Sequence, residues 1–214
     1  QKPIVTPKFG KYIHNDILAQ GVNAIVAIAC YSGYNQEDAI IINKSAVERG
    51  LFNSVTFKSA GTREELDDYT TEKIMKPEPE RVIKLKDGNS DYLEGDPNSP
   101  SYGLIREETH VDESHILVGK VLETNLHDNK GQIMYRDVSL KMKRFTKGVV
   151  DKVFMSHGNQ GQKYVKIRIR KHALPTLGDK FSSRHGQKGT IGMLLDHADM
   201  PVTKDGIVPD IIVN

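Results

Sequence analysis

Gln162–Lys171 reads QKYVKIRIRK. Within it Val165, Ile167 and Ile169 alternate with Lys166, Arg168 and Arg170. A period of two places the three apolar side chains on one face of a strand and the three cations on the other. An ordinary amphipathic strand with a solvated face accounts for part of this pattern. It does not require an all-cationic row, in which like charges repel one another, and an opposing polyanion would relieve that repulsion. Around this stretch the chain keeps the same grain. Gly21–Cys30 (GVNAIVAIAC) reads as a strand buried on both faces, Ala39–Ile42 as a second buried strand, and Phe52–Lys58 as a third. Asn43 caps a short helix over Lys44–Arg49 that Gly50 stops. His115–Thr124, Asp137–Lys143, Gly148–Met155 and Gly189–Leu195 are further strands. The second and third of these are expected to pair, and Leu122–Gln132 is expected to be a loop. Ala60–Ser114 is acidic and rich in turn formers, and is expected to be an irregular, surface-projecting insertion. Many short strands, few helical patterns and abundant glycine predict a mostly-β, barrel-like core with an insertion.

The 214 residues carry a net charge of only +2, but the distribution is split. Lys141–Lys188 holds thirteen Lys and Arg against Asp151 and Asp179, a surplus of eleven, while the remainder of the chain is nine negative. A concentrated basic stretch inside a near-neutral chain is the footprint of a polyanion site. No apolar run approaches the roughly 20 residues of a membrane span, no basic-then-apolar leader follows Gln1, and a lone Cys30 excludes an internal disulfide. Both ends read as cuts through a longer polypeptide.

The basic stretch ends in GDKFSSRHGQKG, Gly178–Gly189. This is not a phosphate-binding P-loop, because GQKGT has the wrong order. Lys180 and Lys188, eight residues apart with Arg184 between them, suit a loop that contacts several phosphates, and Gly186 and Gly189 allow close backbone approach. His185 fits either a packed ring or a phosphate or base contact. The acidic counterpart is YNQED, Tyr34–Asp38, where Glu37 and Asp38 follow an Asn-Gln pair between two strands. Adjacent carboxylates are poor paired acid–base catalysts but can serve as outer ligands to Mg²⁺, which takes one or two carboxylates plus substrate phosphates. A plain polar turn is the alternative. Zinc-ligand spacing, a Gly-x-Ser-x-Gly elbow and the aromatic strand signature of single-strand RNA modules are all absent from the sequence.

GDKFSSRHGQKGTIG, then DMP and GIVPDIIVN, together with NAIVAIACYSGYNQEDAIIINKSAVERGLF, LVGKV, GVVDKVF and KYVKIRIRK, resemble in order the second-largest subunit of multisubunit DNA-dependent RNA polymerases, in its eukaryotic, archaeal and large-DNA-virus wording. The resemblance covers essentially the whole chain. It implies a double-psi β-barrel interrupted by an inserted wall or flap domain. The expected organisation is a lead-in over 1–20, a first barrel segment over 21–58, the wall over 59–162 and a second barrel segment over 163–214. The acidic stretch Lys84–Gly103 has no counterpart in the family pattern.

The function implied is a share in the catalytic core of DNA-directed RNA polymerase, with a non-catalytic nucleic-acid-binding β domain as the alternative. On the family pattern Lys180 and Lys188 are the active-site lysines, reaching the RNA 3′ end and the nearby hybrid backbone. Lys166, Arg168, Arg170, Arg184, His185 and Gln187 are expected to bind nucleic acid, the alternative for the first three being that they pair with the acidic insertion. Glu37 and Asp38 lie near a second, nucleotide-borne Mg²⁺, the principal ion being held by the largest subunit. The partners implied are that subunit, other polymerase subunits, template DNA, an RNA–DNA hybrid and nucleoside triphosphate, with no membrane. The compartment is the nucleus, or the cytoplasm for an archaeal or viral protein. An isolated piece of this kind is expected to be inactive.

Overall fold

A computed structural model describes residues 5–18, 21–66, 71–128 and 130–214; the rest of the expected lead-in, residues 1–4 and 19–20, lies outside them. The described residues are mostly β. In chain order the strands begin with β1 (Val26–Ile28), β2 (Ala39–Asn43), β3 (Ser54–Arg63), β4 (Glu72–Ile74) and β5 (His110–Val111). They continue with β6 (Ile116–Val118), β7 (Lys120–His127), β8 (Ile133–Asp137), β9 (Leu140–Lys141) and β10 (Gly148–His157). The last four are β11 (Lys163–Ala173), β12 (Lys180–Ser182), β13 (Lys188–Leu195) and β14 (Ile211–Val213). One short α-helix, α1 (Lys44–Glu48), follows β2. Among the described residues no helix is long and apolar enough to cross a membrane.

The chain divides into two compact units, Gln1–Ser54 with Ala173–Asn214, and Val55–His172. The first is built on a mixed sheet of order β1-β14-β2-β13-β12. β2 runs through its centre, antiparallel to β14 and parallel to β13. Its consecutive Ile40, Ile41 and Ile42 are buried alternately on both faces. Ile40 and Ile42 pack with Val47, Ile191 and Ile211, and Ile41 packs with Met200 and Ile212. Asn43 ends the strand and starts α1, its Oδ1 accepting the Ser45 and Ala46 N–H groups at 3.1 and 3.4 Å. Its Nδ2 donates to the Pro209 carbonyl at 3.3 Å, so this buried amide ties the cap to the segment before β14. Asn43→Ala removes the cap and leaves that carbonyl unpaired. It is expected to cost about 2 kcal/mol in chemical denaturation, and Asn43→Asp, which keeps the cap acceptor but sets a carboxylate oxygen against the Pro209 carbonyl, should be no better tolerated.

The run around β1 is not a strand buried on both faces. Only Val26–Ile28 pair, with β14 alone, and Ile28 is 85% exposed. As the outermost strand it has a neighbour on one side only, and its apolar composition could not reveal that position.

The second unit holds a four-stranded sheet of order β3-β11-β10-β5, a three-stranded sheet β4-β7-β8 and the pair β6-β9. β3 and β11, expected in different barrel segments, are neighbours in the first of these. Val165, Ile167 and Ile169 of β11 enter a core with Leu93, Leu104, Ile116, Leu117, Val118 and Val150. Leu93 is thus fully buried, so the acidic Lys84–Gly103 segment, most of whose residues are exposed, is anchored to this core through that side chain. Its backbone is bonded through Glu94 to Leu104 and Gly103.

The single strand expected over 115–124 is two, β6 and β7, in different sheets. They part at Gly119, whose missing side chain makes room for the Met75 carbonyl. β7 continues to His127 through the expected loop. Within the expected 137–143 element, Asp137 ends β8 and only Leu140–Lys141 forms a strand of its own. That strand pairs with β6, not with β10.

Candidate nucleic-acid interface

β12 and β13 form an antiparallel hairpin in which Lys180 lies opposite Thr190, Phe181 opposite Gly189 and Ser182 opposite Lys188. Opposed residues share a face, and so do residues two apart on one strand. Lys180 and Lys188 therefore stand on the same face as diagonal neighbours, roughly 7–8 Å apart at the backbone, although eight residues separate them in sequence. Phe181 points the other way, against Phe52 with ring centroids 4.5 Å apart. The apolar side of β12 holds the hairpin to its unit and leaves the two ammonium groups in solvent.

The tip is Ser183–Gln187. Ser183 N–H donates to the Gln187 carbonyl at 3.1 Å, and Gly186 N–H donates to the Ser183 carbonyl at 3.3 Å. Ser183 Oγ accepts the His185 and Gln187 N–H groups at 3.2 and 3.4 Å. Gly186 is left-handed (φ 77°), the conformation a three-residue hairpin loop needs at this position. Arg184 and His185 are displayed outward, and Gln187 closes the turn through its backbone. Among the described residues the side chains of Lys180, Arg184, His185 and Lys188 make no ion pair or hydrogen bond. All four are exposed. Asp179, next to Lys180, is engaged locally by the N–H of Thr176 at 2.9 Å.

The carboxylate pair lies beside the base of this hairpin. Ala39, Thr190 and Lys180 form one row across β2, β13 and β12, and Glu37 and Asp38 immediately precede Ala39. Thr190 N–H donates to the Asp38 carbonyl at 2.8 Å. A Cβ on Gly189 would stand 2.6 Å from Ile40 Cγ2 and 3.3 Å from that same carbonyl, and one on Gly192 would meet the Tyr34 carbonyl. β13 lies this close to the acidic loop because these two positions lack side chains.

The loop itself is tightly wound, with Ser32, Gly33 and Glu37 all left-handed (φ 59°, 79° and 56°). Its anchor is Asn35, which is fully buried. Asn35 Oδ1 accepts the Tyr31 N–H at 3.2 Å and Nδ2 donates to the Ala29 carbonyl at 2.7 Å. Sequence reasoning read Asn35 only as a polar turn residue. Its burial, set by long-range packing, left no local signal. Among the described residues no three His, Cys, Asp or Glu side chains converge as a metal site. Glu37 and Asp38 alone would be at most a partial ligand set for Mg²⁺, which takes phosphate oxygens and water besides one or two carboxylates.

The row Lys166, Arg168 and Arg170 belongs to the second unit, on the face of β11 opposite its buried Val-Ile-Ile set. Its arginines are partnered within that unit. Arg168 Nε donates to Asp151 Oδ2 at 2.6 Å and Arg170 Nη1 to Asp151 Oδ1 at 2.8 Å. Arg170 Nη2 also donates to Glu108 Oε2 at 3.1 Å. A bulge in β10 between Val150 and Lys152 gives Asp151 its place. Burial raises the Asp151 pKa, but the two guanidinium groups more than offset this and hold the carboxyl below its ordinary value. The Arg168 guanidinium also lies 5.2 and 5.6 Å from the ring centroids of Phe57 and Phe154. Lys166 is the exposed, unpaired member of the row among the described residues.

The β2–β13 ladder thus joins the cationic hairpin to the carboxylate-bearing loop. The chain belongs to the family of second-largest subunits of RNA polymerase: the family model for domain 6 of RNA polymerase Rpb2 matches residues 1–214. The DNA-directed RNA polymerase II subunit RPB2 of Schizosaccharomyces pombe is 43% identical over 220 residues, covering 100% of this chain and 18% of the relative. The RNA polymerase subunit Rpo2 of Sulfolobus acidocaldarius is 39% identical, covering 100% of this chain and 19% of the relative. A probable RPB2 homolog of Invertebrate iridescent virus 3 is 37% identical, covering 100% and 18%. The chain spans about a fifth of the length of the curated relatives it matches.

Proposed function

We propose that this chain is part of the catalytic core of a DNA-directed RNA polymerase, where it contacts an RNA–DNA hybrid, the RNA 3′ end and the incoming nucleotide. The observation that carries the reading is the hairpin, which holds Lys180 and Lys188 free and on one face beside Glu37 and Asp38. In nucleotidyl transfer the RNA 3′ hydroxyl gives up its proton to solvent and its oxygen bonds to the α-phosphorus while the bond to the pyrophosphate oxygen breaks. Negative charge builds on the phosphoryl oxygens and the leaving group. Two ammonium groups positioned before the reaction stabilise that charge without taking or giving a proton. Mg²⁺, when bound, supplies further charge stabilisation, with the principal ion on the largest subunit and Glu37 and Asp38 as outer ligands to the nucleotide-borne one. Arg184, His185 and Gln187 at the tip, and Lys166 on β11, would contact nucleic-acid backbone.

On this reading the first unit contributes to the family's double-psi barrel and the second to its wall. The partners are the largest subunit, other polymerase subunits and template DNA. The complex works in the nucleus of a eukaryote, or in the cytoplasm if the protein is archaeal or viral.

Binding of a hybrid across a salt series tests the contacts in the complete polymerase. Arg184→Ala and Lys166→Ala should each lower the salt slope by roughly 0.7–0.9, equally for any hybrid sequence. Arg168→Ala and Arg170→Ala should lower it by less, because Asp151 and Glu108 already occupy those guanidinium groups. Unchanged slopes for both Arg184→Ala and Lys166→Ala would discard the hybrid contact.

A further inference from the structure

Beyond β9, Lys143–Thr146 makes a tight turn in which Thr146 N–H donates to the Lys143 carbonyl at 3.3 Å. Phe145 occupies its third position with φ 57°, where glycine or asparagine is usual. It is 97% exposed, the most exposed large apolar side chain among the described residues. The conformation is held from outside the turn, since Glu113 Oε2 accepts the Phe145 N–H at 2.8 Å. Lys143, Arg144 and Lys147 lie within two residues of Phe145 along the chain. They are exposed and without an ion-pair partner among the described residues.

The nearby carboxylates keep their charge, but among the described residues none forms an ion pair with these cations. Glu113 is engaged by Phe145, and Asp112 by Ser114 Oγ at 2.6 Å and His115 Nδ1 at 2.8 Å. A cavity of about 390 Å³, lined by Glu113, Ser114, Lys141, Met142 and Arg144, lies beside the turn.

We propose that this turn is a stacking contact for an unpaired nucleotide of a single nucleic-acid strand. The Phe145 ring takes the base, and Lys143, Arg144 and Lys147 take the flanking phosphates. A base needs only one free aromatic face and a cationic track for its backbone, and such contacts tolerate any sequence. A protein partner would instead favour an aromatic seated among other apolar groups that exclude water, and the neighbours here are charged. The inference rests on the polymerase reading above, and it adds a contact that is separate in sequence from the β12–β13 hairpin and from β11.

The test uses the complete polymerase in a stalled elongation complex, with Phe145 replaced by the photo-crosslinker benzoylphenylalanine. Separate arms carry label in the RNA, the template strand or the non-template strand. Irradiation should transfer label from one strand to this subunit, and the arm that does so identifies the source. Phe145→Gly suits the left-handed turn and removes only the ring, so the fold is kept. It should shorten the lifetime of the complex at raised salt by roughly tenfold, while Phe145→Trp should preserve that lifetime. Adducts only with another polypeptide, or no adduct together with an unchanged lifetime for Phe145→Gly, would overturn the proposal. If hybrid binding at the same time keeps the salt dependence expected for Arg184→Ala, the polymerase reading survives that failure.

Discussion

Replacing Lys188 by alanine in the complete polymerase is expected to slow nucleotide addition at saturating nucleotide by on the order of 10²-fold, with the subunit still incorporated. Lys180→Ala should behave alike. The size follows from losing one positioned charge contact to a transition-state oxyanion. Incorporation is spared because neither ammonium group packs against anything. The hairpin is held by Phe181 on Phe52 and by the ladder of β13 to β2. Ser182→Ala, directly opposite Lys188, supplies the control. It changes the same face of the hairpin without touching either charge, so its rate should stay near that of the unaltered enzyme. Rapid-quench measurement of single-nucleotide addition decides the matter, and unchanged rates in both lysine variants would remove the hairpin from the chemistry.

Asn35→Ala should have the largest effect on stability of any single change in the acidic loop. It leaves the Tyr31 N–H and the Ala29 carbonyl, both at part-buried bonds, without their partner amide. At about 1–3 kcal/mol for each fully buried unpaired group the ceiling is about 2–6 kcal/mol, and the part-buried setting puts the loss towards the lower end. Asn35→Asp keeps the shape but sets a carboxylate oxygen against the Ala29 carbonyl, and should be no better tolerated. Hydrogen exchange at the Tyr31 amide measures the local loss directly. Protection there should fall steeply, while Ile41 in the centre of the sheet keeps its own. Because Glu37 and Asp38 ride on the same loop, nucleotide addition should slow in parallel. Retained Tyr31 protection would show that Asn35 is not the anchor.

The features of this molecule that could be read in the sequence are those whose signal is local. The alternation in β11, the Asn43 cap of α1 and the glycine-rich turn before β13 each declare themselves within ten residues or so. Position within a sheet does not. Ala24–Cys30 and Ala39–Ile42 look equally apolar, yet β2 is enclosed on both faces and β1 is an exposed edge. Pairing across distance was also illegible. The β6–β9 match joins strands far apart in sequence, and the break at Gly119 depends on where Met75 comes to lie. The fate of the cationic row was hidden for the same reason, because Asp151 reaches Arg168 and Arg170 only through a bulge in a neighbouring strand. At the candidate site, Lys180, Lys188, Glu37 and Asp38 could be named from the resemblance, but the neighbouring rows they occupy follow from strand order. Asn35 gave no sign of itself because its role is created by burial.

The missing side chain of Gly189 has a consequence for how firmly the two lysines and two carboxylates keep their spacing. A slip of β13 along β2 by a single residue would bring either Lys188 or Thr190 into a gap already filled by the Ile40 methyl and the Asp38 carbonyl. The alignment is therefore guarded by excluded volume and not by an ion pair. Salt that screens charges, or acid that protonates carboxylates, leaves such a barrier untouched. The hairpin can meet a highly charged ligand, whose arrival changes every local field, without its register shifting in response.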